Sequence, residues 1–180
     1  MKDFWKMIFA SMLLNLAIAF IFPILAIFIE NTGEKNVIYV GYAFATVAIT
    51  ETLVSIYFGH ISDKYGRKKI MMLGAGLLAS VPFGYIFATN IYQIIFLQFI
   101  AGLGLGMNSP TYIALLTEKM DKKRKGFGFG IFNSATTFVA GVGALIGTII
   151  VQFLGFQILF LVMGILEILN IALLATVKEK

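Results

Sequence analysis

Six long apolar stretches, separated by short polar breaks, constrain this chain more than any other feature. They cover residues 5–29, 37–59, 70–88, 91–116, 127–153 and 156–177. Each is close to the roughly 20 residues that a helix needs to cross a bilayer. Hydrophobic residues make up 59% of the chain and charged residues 13%, and a soluble domain of this size cannot hide so apolar a composition. The sequence therefore predicts an all-α membrane protein, a single domain over residues 1–180 with six transmembrane helices.

The first apolar stretch follows Lys2 and Lys6, as the core of a secretory signal would. It runs from Met7 to Ile29, which is longer than the roughly 7–15 apolar residues of a signal peptide, and no cleavage pattern of small residues follows it. We interpret it as a retained first span.

Positive charge is concentrated at one end of the predicted helices. All lysines and arginines except Lys35 fall on one side of a six-span topology: Lys2, Lys6, Lys64, Arg67, Lys68, Lys69, Lys119, Lys122, Lys123, Arg124, Lys125, Lys178 and Lys180. Cytoplasmic loops of membrane proteins carry such an excess. We therefore expect both termini to be cytoplasmic and the chain to lie in the cell membrane, with the net charge of +5 reflecting topology rather than nucleic-acid binding.

Small residues recur at four-residue spacing in several of the predicted helices. The sets are Gly76, Ser80 and Gly84; Gly102 and Gly106; Gly126 and Gly130; and Gly143 and Gly147. Such positions let helix backbones approach closely in a bilayer. Together they predict a compact bundle. The break between the last two spans is only residues 154–155 and carries no charge, which predicts a tight helical hairpin there.

The segment between the second and third spans has the most specific pattern. It reads Gly59-His-Ile-Ser-Asp63-Lys-Tyr-Gly66-Arg67-Lys68-Lys69-Ile70. We expect Gly59 to allow close helix packing, and Gly66 to adopt the positive φ of a sharp reversal. Asp63 is suited to capping a helix N-terminus, and Arg67 to pairing with a carboxylate on a neighbouring helix end.

This segment resembles the signature loop of the major facilitator superfamily, G-x-L-a-D-r-x-G-R-r-x-x-l. Residues 102–130 resemble the fourth span, the following inside loop and the start of the fifth span in drug–proton antiporters of the same superfamily. The resemblance implies that Glu118 or Asp121 pairs with Arg67. With Lys68 and Arg124, these charges would form a gate that closes the cytoplasmic side and parts when the protein opens inward.

The resemblance covers one six-helix half of the family's architecture, which is built from two inverted three-helix units. Residues 59–66 before the third span and residues 147–155 before the sixth form a faint internal match. The chain departs from the antiporters at Gln98, where they have arginine, and at Gly143-Ala144, where they have Gly-Pro. The sugar-transporter signature after the sixth span is absent.

Two carboxylates fall inside the predicted spans. Glu51 lies eight residues before Gly59, or ~12 Å from that helix end, and Glu167 lies near the middle of the sixth span. A charged side chain at this depth costs a few kcal/mol, about 2.5–3.5 on insertion scales, and proton uptake removes that cost. Glu51 is therefore a candidate for proton coupling, with a structural hydrogen-bonding role as the alternative. The resemblance implies that the sixth span, and Glu167 with it, lies at the periphery of the bundle. We expect Asn170, one turn further on, to satisfy the hydrogen-bonding capacity of Glu167.

Other polar residues inside the spans are candidates for a substrate cavity or for contacts between helices. They are Asn15, Gln98, Asn108, Asn133 and Thr137. Pro23 and Pro110 are expected to bend the first and fourth spans, because proline removes a backbone donor.

Function follows from the span count and the resemblance. A single histidine, His60, and the absence of cysteine leave little for a metal site or a membrane protease, so we expect neither an enzyme nor a cofactor. The sequence predicts half of a secondary transporter for a small molecule, coupled to protons or another ion, that works with another six-helix unit. That unit could be a second copy, a separate partner or the missing half of a truncated gene. The alternative is a non-transporting membrane fragment or interaction module with the same fold.

Overall fold

The structure is a computed structural model and describes residues 2–178, so Lys180 of the basic set lies outside the described residues. All of the regular elements in this range are helices: α1 (Lys2–Ile21), α2 (Leu25–Asn31), α3 (Ile38–Tyr65), α4 (Arg67–Phe87), α5 (Ile91–Lys119) and α6 (Lys125–Ala175). All of them except α2 are long and apolar enough to cross a membrane.

The 51-residue helix α6 is two helices joined at a sharp reversal. Gly155 has φ 82° and ψ 172°, which is not helical and is a backbone region that favours glycine. We call residues 125–154 α6a and residues 156–175 α6b. Phe129 near the start of α6a and Leu173 near the end of α6b pack against the same apolar cluster. The two helices therefore run in opposite directions, and the bundle has six helices of membrane-crossing length.

The first predicted span is broken at its proline. Helix α1 ends at Ile21, residues 22–24 form a turn, and α2 begins at Leu25. Pro23 cannot donate the backbone hydrogen bond that a continuous helix needs, which accounts for the break. Pro110 behaves differently, since it lies inside α5 without interrupting the helix.

The segment predicted as a loop between the second and third spans is almost entirely helical. Helix α3 continues past Gly59 to Tyr65, and α4 begins at Arg67. Gly66 alone connects them, with φ 98° and ψ 123°. Because glycine tolerates this positive φ, the chain reverses in one residue and needs no longer loop.

Close backbone contacts at glycines hold the bundle together. A Cβ at Gly102 would lie 2.6 Å from Thr50 Cβ of α3, and one at Gly147 would lie 2.6 Å from the carbonyl oxygen of Phe20 in α1. A further pair, which the sequence pattern did not single out, joins α4 to α5. A Cβ at Gly74 would lie 2.7 Å from the carbonyl oxygen of Gly104.

These contacts repeat between two three-helix units, the first formed by α1 with α2, α3 and α4 and the second by α5, α6a and α6b. Glycines of α5 pack on α3, and glycines of α6a pack on α1. The first helix of each unit thus contacts the second helix of the other. A glycine with positive φ, Gly66 or Gly155, precedes the third helix of each unit. This exchange is the arrangement expected of two inverted repeats.

Candidate functional site

The basic segment at the α3–α4 junction carries the first candidate site, which we call the gate cluster: Asp63, Arg67 and Glu118. The one-residue turn at Gly66 places Asp63 beside Arg67. Arg67 Nε and Nη2 donate to Asp63 Oδ1 at 3.1 and 2.8 Å. Arg67 Nη1 donates to Glu118 Oε1, near the end of α5, at 2.5 Å. One guanidinium therefore connects the ends of α3, α4 and α5, as its forked geometry allows.

The structure selects between the two carboxylates that the sequence left open as partners of Arg67. Glu118 forms the ion pair. Asp121 instead accepts a hydrogen bond from the backbone N–H of Lys123 at 2.9 Å, inside the α5–α6a turn. Arg124 is the residue before the first turn of α6 and is exposed, and it does not join the gate cluster.

Two of the roles predicted for this segment are wrong in this conformation. No side chain caps the N-terminus of α4, whose N-cap residue is Gly66, and the Asp63 carboxylate accepts hydrogen bonds from Arg67 instead. Gly59 is not at a close helix contact, since a Cβ there would lie 3.8 Å from Pro110 Cβ, an ordinary van der Waals distance. The positive φ predicted for Gly66 is present.

Lys68 has a partner that sequence reasoning missed. Its Nζ donates to the carbonyl oxygens of Ala175 and Val177, both at 2.6 Å, at the end of α6b. Lys6 Nζ donates to the carbonyl of Thr176 at 3.2 Å, and Lys119 Nζ to that of Lys178 at 2.6 Å. Carbonyls at and just beyond a helix C-terminus lack partners within the helix and attract cations, so three lysines of α1, α4 and α5 hold the end of α6b and the residues that follow it.

These lysine contacts also show that the basic clusters lie together. The start of α1, the α3–α4 junction, the α5–α6a turn and the end of α6b meet at one end of the bundle. We call it the basic end. Lys35 lies outside it, in the connection between α2 and α3.

A central cavity of ≈ 360 Å³ is the second candidate site. Side chains from all six numbered helices line it, and most are apolar. Its ionisable or amide groups are Glu51 of α3, Gln98 of α5 and Glu167 of α6b, together with the hydroxyl-bearing Tyr85 of α4. Glu51 is partly exposed, and its Oε1 accepts a long hydrogen bond, 3.5 Å, from Ser109 Oγ.

The peripheral position expected for Glu167 is wrong. This residue is 3% exposed and lines the central cavity, because α6b packs its inner face on α4, with Gly164 against Phe83. Asn170 Nδ2 donates to Glu167 Oε2 at 3.4 Å, as expected from their spacing. The Asn170 Oδ1 atom is buried and has no hydrogen-bond partner among the described residues.

Two other polar candidates lie closer to the basic end. Asn15 and Asn108 line a smaller cavity of ≈ 190 Å³. Asn108 is 2% exposed, and its Nδ2 donates to the carbonyl of Met71 in α4 at 3.2 Å. Asn15 Nδ2 donates to the carbonyl of Ser11 at 2.8 Å. The Asn108 contact joins two helices, which is the structural alternative considered for it.

Asn133 and Thr137 are not in either cavity. Both lie on the exposed face of α6a. The structure therefore brings Glu51 and Gln98 together in one cavity and leaves Asn133 and Thr137 on an outer surface. Within residues 2–178, no three His, Cys, Asp or Glu side chains are placed to hold a metal ion.

Comparison with known proteins agrees with this architecture. A family model described as Major Facilitator Superfamily matches residues 7–180. The multi-drug resistance efflux pump PmrA of Streptococcus pneumoniae serotype 4 is 32% identical over 160 residues, 87% of this chain and 40% of that protein. The multidrug resistance protein MdtG of Proteus mirabilis is 28% identical over 176 residues, 95% of this chain and 44% of that protein.

Solved structures show the same fold. The crystal structure of the POT family transporter PepTSo superposes with a TM-score of 0.77 at 13% identity, covering 97% of this chain and 37% of that one. The chain thus spans about two fifths of the length of the relatives that it matches. The long apolar helices and inverted-repeat packing agree with the family match. This multi-pass membrane protein belongs to the major facilitator superfamily, because the family model matches residues 7–180.

Proposed function

We propose that the chain is one half of a secondary active transporter that exports largely apolar small molecules, lipophilic cations included, by alternating access, coupled to protons. The observation that carries this proposal is the central cavity of ≈ 360 Å³, in which Glu51 and Glu167 face an otherwise largely apolar wall. Ionisable groups buried at membrane depth are costly and mark substrate or proton pathways. The names of PmrA and MdtG, a multi-drug efflux pump and a multidrug resistance protein, support export of drug-like compounds.

Glu51 is our candidate for the proton-carrying group. Its only side-chain hydrogen bond among the described residues is the 3.5 Å contact from Ser109, so little in the bundle holds it ionised. Its partial exposure gives access to the cavity. Glu167, in contrast, is buried and paired with Asn170. A carboxylate that is reachable and weakly bonded can exchange a proton as the cavity changes access.

A second six-helix unit is part of the proposal, because α6a has an exposed face unlike a lipid-facing one. That face contains Gly126, Gly130, Asn133, Thr137 and Gly141. A Cβ at any of these three glycines would have no neighbour within 4 Å in the described chain. Small and polar residues concentrate where membrane helices contact one another. We propose that this face, which we call the α6a small-residue face, packs on the second unit.

The gate cluster would close the cytoplasmic side of this assembly. In our proposal the basic end faces the cytoplasm of the cell, as the positive-inside rule predicts. Arg67 links the ends of α3, α4 and α5 through Asp63 and Glu118. Separation of these charges would accompany opening of the cavity toward the cytoplasm, since rocking of one helix unit against another moves helix ends apart.

The test is transport by the purified chain in proteoliposomes with an imposed pH gradient, using ethidium as the probe. We expect ethidium flux that requires the gradient and that falls to the level of protein-free vesicles in Glu51→Gln. Glu30→Gln is the matched control, because Glu30 is an exposed carboxylate at the end of α2, outside the cavity. Gradient-independent flux in the wild type would contradict proton coupling. Absence of flux from a well-folded monomer would favour the non-transporting alternative.

A further inference from the structure

A groove at the basic end combines an apolar wall with cationic groups. It has a volume of ≈ 210 Å³ and lies between the start of α1 and the α5–α6a turn. Phe4 and Trp5 of α1 and Phe127 and Ile131 of α6a form the apolar wall. Lys119 and Arg124 supply the positive charge. We call this site the α1–α6a groove.

The charge balance of the groove favours an anion. Asp121 also lines it and accepts the Lys123 backbone N–H through Oδ1 at 2.9 Å. Its one negative charge against the two positive charges of Lys119 and Arg124 leaves the lining net positive. Lys119 uses one donor on the carbonyl of Lys178 and has two left. The Arg124 guanidinium has no hydrogen bond or ion pair to any residue within 2–178. An unpaired guanidinium offers a forked pair of donors that fits the oxygens of a phosphate.

The apolar wall favours a lipid over a free anion. Trp5 is 48% exposed and Phe127 68% exposed, so both rings have large areas available to a ligand. They stand at the ends of α1 and α6a, where the apolar helices meet the basic end. Aromatic rings concentrate at this level of a membrane, and basic pockets between helices on the cytoplasmic side accept anionic headgroups.

We propose that the α1–α6a groove binds one anionic phospholipid. Its phosphate lies against Arg124 and Lys119, and the first part of an acyl chain lies against Trp5 and Phe127. The site is independent of the central cavity and of the proposed transport, since it shares no lining residue with that cavity. Bound lipid would join the start of α1 to the α5–α6a turn next to the gate cluster.

Native mass spectrometry of the delipidated full chain tests the proposal. Titration with phosphatidylglycerol and with phosphatidylcholine of the same acyl chains is expected to show one tight adduct, with phosphatidylglycerol only. Arg124→Gln should weaken that adduct about fivefold, the effect of removing one cation near an anionic headgroup, and Arg124→Lys should restore most of it. Trp5→Ala should weaken the adduct without changing the preference between headgroups.

Lys123→Gln is the matched control. Lys123 is the exposed neighbour of Arg124 in the same turn, carries the same charge and does not line the groove. Equal loss of binding in Lys123→Gln and Arg124→Gln would overturn the site in favour of general surface attraction. So would equal binding of the two lipids. Displacement of phosphatidylglycerol by millimolar inorganic phosphate would indicate a free-anion site instead. Unchanged thermal unfolding midpoints verify that each variant is folded.

Discussion

Arg67 and Glu118, 51 residues apart in the chain, meet at 2.5 Å where α4 begins and α5 approaches its end. The same guanidinium holds Asp63 of α3 at 2.8 Å. The three side chains are 31%, 37% and 60% exposed, for Arg67, Glu118 and Asp63 respectively. Ion pairs with this much exposure contribute only about 0–1 kcal/mol to stability. We expect this energy to act mainly on which arrangement of the three helix ends is populated.

The first prediction concerns that population. Glu118→Gln should leave the α4 and α5 ends free to separate, and a thiol introduced beside them should then react faster with a maleimide. Ala114→Cys is a suitable reporter, because Ala114 lies with Arg67 and Glu118 around an open cavity at the basic end. The chain has no native cysteine to interfere. Labelling rates in membranes measure the change.

Asp121→Asn provides the control for this experiment. It removes the same charge from the same end of the bundle, but Asp121 does not contact Arg67. The labelling rate in Asp121→Asn should equal that of the Ala114→Cys parent. If Asp121→Asn and Glu118→Gln raised the rate equally, the Arg67–Glu118 pair would not be what holds the ends together.

The second prediction concerns the glycine contacts. In Gly147→Ala the new methyl group would lie 2.6 Å from the Phe20 carbonyl oxygen and 2.7 Å from its Cα. These are backbone atoms that cannot rotate away, so α1 and α6a must separate. We expect a loss of about 1–3 kcal/mol in the free energy of unfolding, as in other overpacked interiors. Unfolding in mixed detergent, followed by circular dichroism, gives this value.

Gly130→Ala on the same helix separates packing from helix propensity. A Cβ at Gly130 meets nothing within 4 Å in the described chain, and alanine is the better helix former by about 1 kcal/mol. This variant should be as stable as the wild type or more so in the isolated chain. A loss equal to that of Gly147→Ala would mean that the α1–α6a contact is not the cause.

The helices themselves were predictable because each is a long apolar run, and the Arg67 pairing because the signature segment is specific. The sequence did not predict how each helix is rotated about its own axis, and therefore which side chains point into the bundle. Glu167 was expected at the periphery but lines the central cavity, and Thr137 was a cavity candidate but is exposed. In a membrane span both faces are apolar, so periodicity carries little information about which face points inward.

The end of α6b illustrates a second limit. Lys68 was predicted to act with Arg67 in the gate, yet its Nζ bonds the carbonyls of Ala175 and Val177. Backbone carbonyls are present at every residue, so no side-chain pattern indicates which of them a lysine will reach. The close approach of Gly74 to Gly104 was missed for a similar reason, because the two glycines lie on different helices and form no spacing pattern in either one.

The third prediction follows from the lysines at the end of α6b. Lys68→Ala removes two hydrogen bonds of 2.6 Å to the carbonyls of Ala175 and Val177. It also removes a cation near a helix C-terminus, where it stabilises by about 0.3–1 kcal/mol. The last turn of α6b should open more often, while Lys6 and Lys119 still hold part of it. Hydrogen exchange at residues 171–178 should quicken several-fold, with little change elsewhere. Lys69→Ala, at an exposed neighbouring lysine, should leave exchange unchanged.

The last prediction tests whether the α6a small-residue face meets a second copy of the chain. Thr137→Cys places a single thiol on that face in a chain without native cysteine. If two copies pack through it, the two thiols come within disulfide reach, which requires Cα atoms no more than about 7 Å apart. Mild oxidation of membranes should then give a covalent dimer on a non-reducing gel.

Leu73→Cys is the control, since Leu73 is 60% exposed and lies on α4, outside the proposed contact. Dimers formed equally at both positions would reflect random collision in the bilayer. Small residues on facing helices bring their backbones together, so a symmetric contact at Thr137 would put the two thiols within reach. Monomer alone at Thr137→Cys would therefore exclude a symmetric contact of two copies at this residue.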